Sequence, residues 1–347
     1  MEYRSATLKV DLAALRSNYR LLQSLHAKKN IAAVVKANAY GLGVQAVARA
    51  FWEEGCREFF VATLAEAVEL RGYLPQAKIA SFGGVFSGEE KEFLAYNIRP
   101  VLNDIGMIER AGAPDAIVHV DTGMTRLGLS QRDVETLAQK GGFRCDLLMS
   151  HLSCANEPGH AKNAEQLQRF QAALHSLQAS RASLANSSGL HLAADFHFDL
   201  GRPGCALYGI NPVAGKNPMA HVATLSAPIL QIRDLDRDEA VGYGATYPAT
   251  RGGKIAVVAL GYADGYFRSL SNQGFAYIAG QKVPIAGRVS MDMIALDVTA
   301  VYDQVKGARE AEFINAQQPV DAVANAVGTI GYEVFTRIGR RVVREYV

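Results

Sequence analysis

The chain has few cysteines, and their positions form no recognisable motif. Cys56, Cys145, Cys154 and Cys205 include neither a Cys-x-x-Cys pair nor the spacing of metal ligands. Free thiols of this kind are typical of a reducing compartment, which argues against a disulfide framework. We therefore expect neither a disulfide-stapled fold nor a metal site.

Long apolar stretches and a strong excess of charge of one sign are also absent. No segment approaches the ~20 apolar residues that a membrane-spanning helix needs. Charged residues recur through the opening segment MEYRSATLKVDLAALRSNYR, which has no apolar core like that of a signal peptide. The formal net charge of +2 gives no general attraction to nucleic acid or to an anionic membrane. We therefore expect a cytoplasmic protein that binds neither.

The remaining composition is that of an ordinary folded protein. The 347 residues are 49% hydrophobic and 20% charged, which suits two domains with sizeable cores. Short apolar runs such as Ile31–Val35 alternate with amphipathic stretches such as residues 44–52, and similar units recur up to a helix predicted around Asn163–Gln178. The alternation predicts a TIM-type (β/α)8 barrel over residues 8–219.

The pattern changes near Asn217. Apolar runs such as Ile255–Leu260 and Met293–Val298 then follow one another without long helices between them, and Gly and Asp punctuate them. This arrangement is typical of antiparallel sheet. We predict a C-terminal, mainly antiparallel β domain over residues 220–347, with residues 1–7 packing with it. The fold class is therefore α/β.

Lys36 is the first candidate for chemistry. It lies in VVKANAYGLG, at the carboxyl end of the first apolar strand, where side chains of a barrel reach the mouth that holds active sites. Burial there disfavours the ammonium form and lowers the pKa of the amine, and a neutral amine is what covalent chemistry on a carbonyl requires. Taken alone, such a lysine more often extends from the strand end into solvent.

The motif VVKANAYGLG resembles the cofactor-lysine motif of alanine racemases, and the likeness continues through nearly the whole chain. Later blocks match in the family's order and approximate spacing: HVDTGMTRLGL at 119–129, SHLSCAN at 150–156, NSS at 186–188, RPGCALYGINP at 202–212, VGYGATY at 241–247, LGYADGY at 260–266 and GRVSMDM at 287–293. One motif is weak evidence, whereas this many in order is strong.

The resemblance implies racemisation of L- and D-alanine that depends on pyridoxal 5'-phosphate (PLP) and supplies D-alanine for peptidoglycan. It implies a PLP-binding (β/α)8 barrel, a C-terminal β domain, and a homodimer whose active sites are each completed by the partner's C-terminal domain. The cofactor residues that it implies are Lys36, Tyr40, His151, Ser187, Arg202, Gly204 and Cys205. Read singly, Asn-Ser-Ser and Gly-Arg-Pro-Gly also fit plain turns.

Arg202 faces the pyridine nitrogen of PLP in this resemblance. An arginine stays protonated at any working pH, so it cannot give that nitrogen a proton. The ring is then a weaker electron sink than a pyridinium, which disfavours protonation at the wrong carbon. A racemase needs this restraint. Spacing alone also fits a surface arginine in a turn.

Two proton carriers follow from the reaction itself. Racemisation takes a proton from one face of Cα and returns one to the other, which two acid–base groups on opposite faces do directly. The resemblance assigns these roles to Lys36 and Tyr243, with His151 beside the tyrosine. A tyrosine has an ordinary pKa near ~10, so it needs a lowered value or a proton relay. Read singly, Tyr243 also fits a strand aromatic and His151 a core histidine.

The substrate residues also come from the resemblance. Arg126 matches an arginine that contacts the phenolic oxygen of PLP and the substrate carboxylate. Tyr262, Met291 and Asp292 match residues that line the substrate entrance from the partner subunit, with Met291 at the substrate itself. Asp292 also fits a turn cap.

Three positions depart from the family's pattern. Many members have a lysine, often carbamylated, where this chain has His119, so we expect Arg126 to be held by an anion or by another side chain. Arg340 stands where some relatives place a tyrosine on the phosphate, and an arginine can also bind phosphate. Cys205 stands where an aliphatic residue is common, which matters little if its backbone N–H makes the contact.

Other functions fit parts of the pattern. A racemase of broader specificity, acting on serine or lysine, shares the motifs, and a PLP decarboxylase shares the two-domain plan. Decarboxylases of that plan place a carboxylate opposite the pyridine nitrogen, so Arg202 argues against them. A non-catalytic PLP-binding protein shares the barrel, but such proteins lack the C-terminal domain that carries Tyr243 here.

Overall fold

A computed structural model describes residues 5–111 and 116–347. Contacts divide the chain into two units, one formed by Ala13–Ala220 and the other by Met1–Leu12 with His221–Val347. The first unit starts five residues after the predicted limit of 8, and it ends one residue after the predicted limit of 219. Residues 1–4, part of the N-terminal segment expected to pack with the C-terminal domain, lie outside the described residues.

The unit Ala13–Ala220 alternates strands and helices. Helix α1 (Leu12–Leu25) leads into it. The strands that follow are β2 (Ala33–Val34), β3 (Glu58–Val61), β4 (Lys78–Ser81), β5 (Ile98–Leu102), β6 (Ile117–His119), β7 (Arg144–Met149) and β8 (Gln178–Ser183). The helices are α2 (Lys36–Tyr40), α3 (Val44–Glu53), α4 (Leu64–Tyr73), α5 (Glu90–Ala95), α6 (Ile105–Ala111), α7 (Gln131–Lys140) and α8 (Ala161–Ser176). Within the described residues these strands pair in parallel and in chain order.

Residues 199–203 close this sheet into a barrel. On one side the Asp199 N–H donates to the Ala182 carbonyl, with a nitrogen–oxygen distance of 2.9 Å. On the other side the Ala32 N–H donates to the Gly201 carbonyl at 2.8 Å, beside a parallel bridge between Ile31 and Gly201. The segment therefore takes the eighth position between β8 and β2, and the predicted (β/α)8 barrel is confirmed.

Apolar side chains from around the barrel fill its interior. Every position in the barrel except β8 contributes to one buried cluster, whose members are Ala32, Val34, Phe60, Ala80, Val101, Ile117, Leu147, Met149 and Leu200. Because helices cover the outer face and this cluster fills the inner one, most strands are apolar throughout their length. Helix α8 ends at Ser176, and Gln178 begins β8, so the predicted extension of that helix to Gln178 is wrong.

A network of charges lies among the barrel strands, away from the ends that carry the motifs. Arg181 of β8 donates to Glu58 of β3 at 2.7 Å and to Asp146 of β7 at 3.0 Å, and Arg99 of β5 pairs with Asp146. Strands β3 and β8 are not neighbours, so this contact crosses the barrel interior. Burial raises the pKa of Asp146, but the hydrogen bond from Arg181 and the charge of Arg99 outweigh it and hold that pKa below its ordinary value.

The second unit is built mainly of antiparallel strands. They are β1 (Thr7–Val10), β9 (Ala223–Asp234), β10 (Glu239–Val241), β11 (Tyr247–Ala249), β12 (Lys254–Val258), β13 (Phe275–Ile278), β14 (Gln281–Pro284), β15 (Ile294–Asp297), β16 (Glu310–Ile314) and β17 (Val343–Tyr346). Its helices are α9 (Tyr302–Val305), α10 (Val320–Ala326) and α11 (Gly331–Arg337). The long strand β9 pairs with β1, β12 and β16, and the pair of β1 with β17 is parallel. The predicted antiparallel β domain is confirmed.

The charge network predicts a measurable stability difference. Glu58→Gln leaves Arg181 and Arg99 without a full counter-charge in a setting where Glu58 is only 12% exposed. We expect the free energy of unfolding to fall by about 2–3 kcal/mol, since removing one partner of a buried pair strands the other. Urea unfolding, followed by circular dichroism, measures the change.

The matched control is Glu53→Gln, which removes the partner of Arg16 in a pair where Glu53 is 52% exposed. Exposed ion pairs contribute little to stability, so we expect the free energy of unfolding to change by less than about 1 kcal/mol. Equal losses in the two variants would contradict an interior role for the network.

Candidate active site

Lys36 begins a turn of unusual handedness. Ala37, Asn38, Ala39 and Tyr40 all have φ between +52° and +55°, which places four L-residues in left-handed conformation. Such residues cost about 1–2 kcal/mol each, so the surroundings must hold the turn in place. The Ala37 N–H donates to Glu66 Oε1 at 2.7 Å, and Asn38 Oδ1 accepts from the Val44 N–H at 2.7 Å.

Glu66 is itself fixed by the start of α4. Its side chain accepts from the Ala62 and Thr63 N–H groups, while the Thr63 hydroxyl accepts from the Glu66 N–H. This reciprocal arrangement is a capping box. One carboxylate thus joins the end of β3 to the turn that carries Lys36.

The amine of Lys36 is half-buried and electrostatically disfavoured as a cation. Burial lowers its pKa, the positive charge of Arg126 lowers it further, and Glu66 opposes both effects. Lys36 Nζ lies 5.8 Å from the centre of the Phe82 ring. The neutral amine that covalent chemistry requires is therefore favoured by the site itself.

Arg202 is buried immediately after the closing position of Gly201. Its guanidinium donates to the Ser183 hydroxyl and to the Ser150 carbonyl, and the residue is 3% exposed. Burial lowers its pKa to about 9, which still leaves it charged at neutral pH. Among the described residues no carboxylate pairs with it. The site therefore holds a buried cation that is solvated by neutral oxygens.

Two histidines near this cation are held in the neutral form. The pKa of His151 is lowered well below its ordinary value, first by burial and then by the charges of Arg202 and Arg126. The pKa of His119 is lowered to about 4 by burial and by Arg202, and its Nδ1 lies 2.9 Å from Asn103 Oδ1. Neutral imidazoles can accept hydrogen bonds, which imidazolium ions cannot.

Arg126 lies on a loop that Asp121 shapes. The Asp121 carboxylate accepts the N–H groups of Gly123, Met124 and Thr125 at distances of 2.9–3.1 Å. These bonds hold the pKa of Asp121 below its ordinary value against the opposing effect of burial. Arg126 is exposed, and its guanidinium makes no hydrogen bond to another described residue.

Donors suited to an anion gather around Ser187. Its hydroxyl accepts from the Gly204 N–H at 2.9 Å and from the Ala206 N–H at 3.3 Å, at the start of a 3₁₀ turn over Cys205–Tyr208. A Cβ added to Gly204 would lie 2.3 Å from the Tyr40 hydroxyl, so a larger residue there would displace that hydroxyl. The Tyr40 ring stacks on Tyr208 with centroids 4.5 Å apart.

The structure places the expected residues in both units. The barrel unit holds the expected cofactor set and Arg126, and it brings Lys36, Arg126, His151 and Arg202 within electrostatic reach of one another. The other unit holds Tyr243, Tyr262, Met291, Asp292 and the exposed Arg340.

Three loops of the second unit adjoin one another; we call residues 241–247, 260–266 and 287–293 the three-loop surface. The Tyr262 N–H donates to the Ser290 carbonyl at 3.1 Å, and a Cβ on Gly287 would lie 2.4 Å from the Val241 carbonyl oxygen. Arg341 pairs with Asp292 at 2.7 Å. Apolar side chains stand out from this surface: Tyr243 is 72% exposed, Met291 53% and Tyr262 40%.

Several contributors carried no signal in the sequence. Asn103, Glu66 and Ser183 act through hydrogen bonds to residues distant in the chain, and no local motif marks them. Ala206 contributes only its backbone N–H, and the residue type gives no indication of such a contact. The RPGCALY block indicated a turn that can present backbone amides, but not which amides converge.

The strand ends of this parallel barrel gather a lysine of lowered pKa, a buried arginine and converging N–H donors. These features define a barrel enzyme with its candidate active site at the strand ends. Comparison with known proteins names the family more closely. The alanine racemase N-terminal domain matches residues 10–212, and the alanine racemase C-terminal domain matches residues 222–346.

Individual relatives agree with these matches. The chain is 44% identical to an alanine racemase of Brucella canis, over 98% of this chain and 93% of the relative, and 41% identical to one of Rickettsia africae, over 98% and 99%. A crystal structure of alanine racemase from Bartonella henselae with covalently bound pyridoxal phosphate superposes with a TM-score of 0.92 at 37% identity, covering 99% of this chain and all of that one. The chain belongs to the alanine racemase family.

Two absences apply to the described residues alone. None of their helices combines the length and apolar character needed to cross a bilayer. No group of three or more His, Cys, Asp or Glu side chains among them is arranged to hold a metal ion.

The electrostatic setting of Lys36 predicts its reactivity. A lowered pKa means that the amine becomes neutral, and therefore nucleophilic, at a lower pH than an ordinary lysine. Arg126→Gln removes a positive charge, so the pKa of Lys36 should rise and its acetylation by acetic anhydride at pH 8 should slow. Peptide mapping by mass spectrometry, on protein freed of bound aldehydes with hydroxylamine, measures the rate.

Arg49→Gln, an exposed change on α3, serves as the control and should leave the Lys36 rate as it is. An unchanged rate in Arg126→Gln would show that burial alone sets the reactivity of Lys36.

Proposed function

We propose that this chain is a PLP-dependent alanine racemase that interconverts L- and D-alanine by a two-base mechanism. The observation that carries the proposal is the cluster of Lys36, Arg126 and Arg202 with neutral histidines, in which no carboxylate pairs with Arg202 among the described residues. The family membership supports the same reaction.

The residues present fit PLP. Its phosphate needs N–H and hydroxyl donors, and Gly204, Ala206, Ser187 and Tyr40 supply them within one small region. A Cβ on Gly204 would fill the space beside Tyr40, which marks a close-fitting cradle. We assign the phosphate to this cradle, together with the N–H of Cys205, and the aldehyde carbon to Lys36 Nζ. The Bartonella henselae relative, which carries the cofactor covalently, supports this assignment.

When bound, PLP withdraws electrons from the substrate Cα and makes its proton easier to remove. We assign Arg202 to the ring nitrogen, where its retained proton keeps that nitrogen unprotonated. Ser183 and the Ser150 carbonyl hold the guanidinium in one orientation for this task. The arrangement limits electron withdrawal and so favours return of the proton to Cα rather than to another carbon.

Two groups then carry the proton. Lys36 Nζ, whose lowered pKa favours the free amine, accepts or returns it on one face of Cα. We assign the other face to Tyr243 Oη, with His151 as the neutral hydrogen-bond partner of the phenol. Arg126 binds the substrate carboxylate, and Met291, Tyr262 and Asp292 line the entrance.

We further propose a homodimer in which Tyr243 completes the site of the partner barrel. The exposed Tyr243, Tyr262 and Met291 on the three-loop surface support this arrangement, because side chains of this kind favour a covered position. We place the enzyme in the cytoplasm, where it supplies D-alanine for peptidoglycan.

Isotope exchange tests the two-base mechanism. In D₂O the native holoenzyme should incorporate deuterium at Cα from both L- and D-alanine. Tyr243→Phe should lose exchange from one enantiomer and keep it from the other, because Lys36 still serves its own face. Lys36→Ala should lose both, since the cofactor attachment goes as well. Loss of both or neither in Tyr243→Phe would contradict the assignment of the phenol.

Mixing two inactive chains tests the shared site. If Tyr243 acts on the partner barrel, a mixed dimer of Lys36→Ala and Tyr243→Phe chains contains one site with both native residues. We expect racemisation to return to about a quarter of the native rate after the chains are unfolded and refolded together, as random pairing gives half mixed dimers with one intact site each. No recovery would place Tyr243 in the site of its own chain. Each variant refolded alone is the control.

A further inference from the structure

His119 offers a single unprotonated nitrogen whose identity is fixed by its neighbours. Asn103 Nδ2 donates to the carbonyls of Phe82 and Val101, both at 3.0 Å, so the opposite atom of the amide, Oδ1, must accept. His119 Nδ1 lies 2.9 Å from that oxygen and therefore carries the ring proton. Nε2 is left as a hydrogen-bond acceptor.

Only one guanidinium near this acceptor still lacks a hydrogen-bond partner among the described residues. The cations that act electrostatically on His119 are Arg202 and Arg126. Arg202 already donates to Ser183 and to Ser150, whereas Arg126 makes no hydrogen bond to a described residue. The nearby carboxylate of Asp121 is engaged by three backbone N–H groups of its own loop.

The backbone ties the two residues together. The Leu129 N–H donates to the His119 carbonyl at 2.8 Å, and the Asp121 N–H donates to the Leu129 carbonyl at 2.9 Å. The loop that carries Arg126 thus begins at His119, and its other end, at Leu129, is hydrogen-bonded back to His119. Gly128 permits this closure, because a Cβ there would lie 2.7 Å from the Asp121 nitrogen.

We propose that His119 is a positioning residue that accepts a hydrogen bond from Arg126 at Nε2 and so orients the guanidinium toward the substrate carboxylate. The proposal rests on the proposed function. It makes a neutral imidazole, fixed by Asn103, the group that holds Arg126.

Two substitutions separate the two nitrogens of the ring. The amide of His119→Asn reaches the position of Nδ1 and keeps a partner for Asn103, but it has no acceptor at the position of Nε2. The amide of His119→Gln reaches the position of Nε2. We expect His119→Asn to raise the KM for L-alanine about tenfold, the scale of one lost hydrogen bond to a charged group, with a much smaller change in kcat. His119→Gln should recover most of the native KM, and the exposed change His175→Asn should alter neither constant.

A spectroscopic readout tests the contact without turnover. In ¹⁵N spectra of the holoenzyme, His119 should show a protonated Nδ1 and an unprotonated Nε2 whose resonance shifts in Arg126→Gln and stays in place in Arg49→Gln. A protonated Nε2, or an Nε2 resonance indifferent to Arg126→Gln, would overturn the proposal. An unchanged KM in a folded His119→Asn variant would also overturn the proposal. So would native activity that requires added chloride, because an anion rather than His119 would then hold Arg126.

The two proposals fail in different ways. A native chain that binds PLP but does not racemise alanine would refute the proposed function, while the Nε2 resonance would still report the contact between His119 and Arg126. Native racemisation with no effect of His119→Asn would refute only the positioning role.

Discussion

The chemistry of this barrel depends on positive charge held at its strand ends without free carboxylates to match it. Arg202 is buried, and the charges of Arg202, Arg126 and Lys36 all act on His151. The nearest carboxylates, Asp121 and Glu66, are occupied by backbone N–H groups. Bringing cations together at low dielectric is costly, and proteins relieve the cost by leaving titratable groups neutral. Burial lowers the pKa values of Lys36 and His151, and the neighbouring cations lower them further. The same positive charge attracts an anion to the site.

One segment of this chain both closes the barrel and builds part of the site. Residues 199–203 take the eighth strand position, and the same segment delivers Arg202 into the interior and Gly204 to the rim. The sequence Gly-Arg-Pro-Gly is unfavourable for a regular strand but favourable for a tight turn. It can therefore close the barrel and also present backbone N–H groups. The fixed position of Arg202 therefore comes from barrel hydrogen bonds on both of its flanks rather than from the arginine side chain alone.

The sequence predicts the elements in which burial determines the residue type. It does not predict the residues whose roles depend on contacts with neighbours distant in the chain. The runs FFV of β3 and LLM of β7 are apolar because both of their faces are covered, so the sequence locates these strands directly. Strand β8, with the sequence QASRAS, carries Arg181 for the interior charge network and resembles the end of a helix. Asn103 and Glu66 belong to the site through contacts with His119 and Ala37, which no local pattern encodes.

The two proposed proton carriers differ in how the chain prepares them. Lys36 gains burial and a repelling charge from its own unit, so its amine is ready before any ligand arrives. Tyr243, at 72% exposed, gains no such burial from the unit that contains it. A phenol acts as a base only when its surroundings stabilise the phenolate or relay its proton. Bulk solvent provides neither effect for one particular phenol. The proposed homodimer would supply such surroundings, because the barrel of a second copy would bring the neutral His151, with Arg202 beside it, to the phenol.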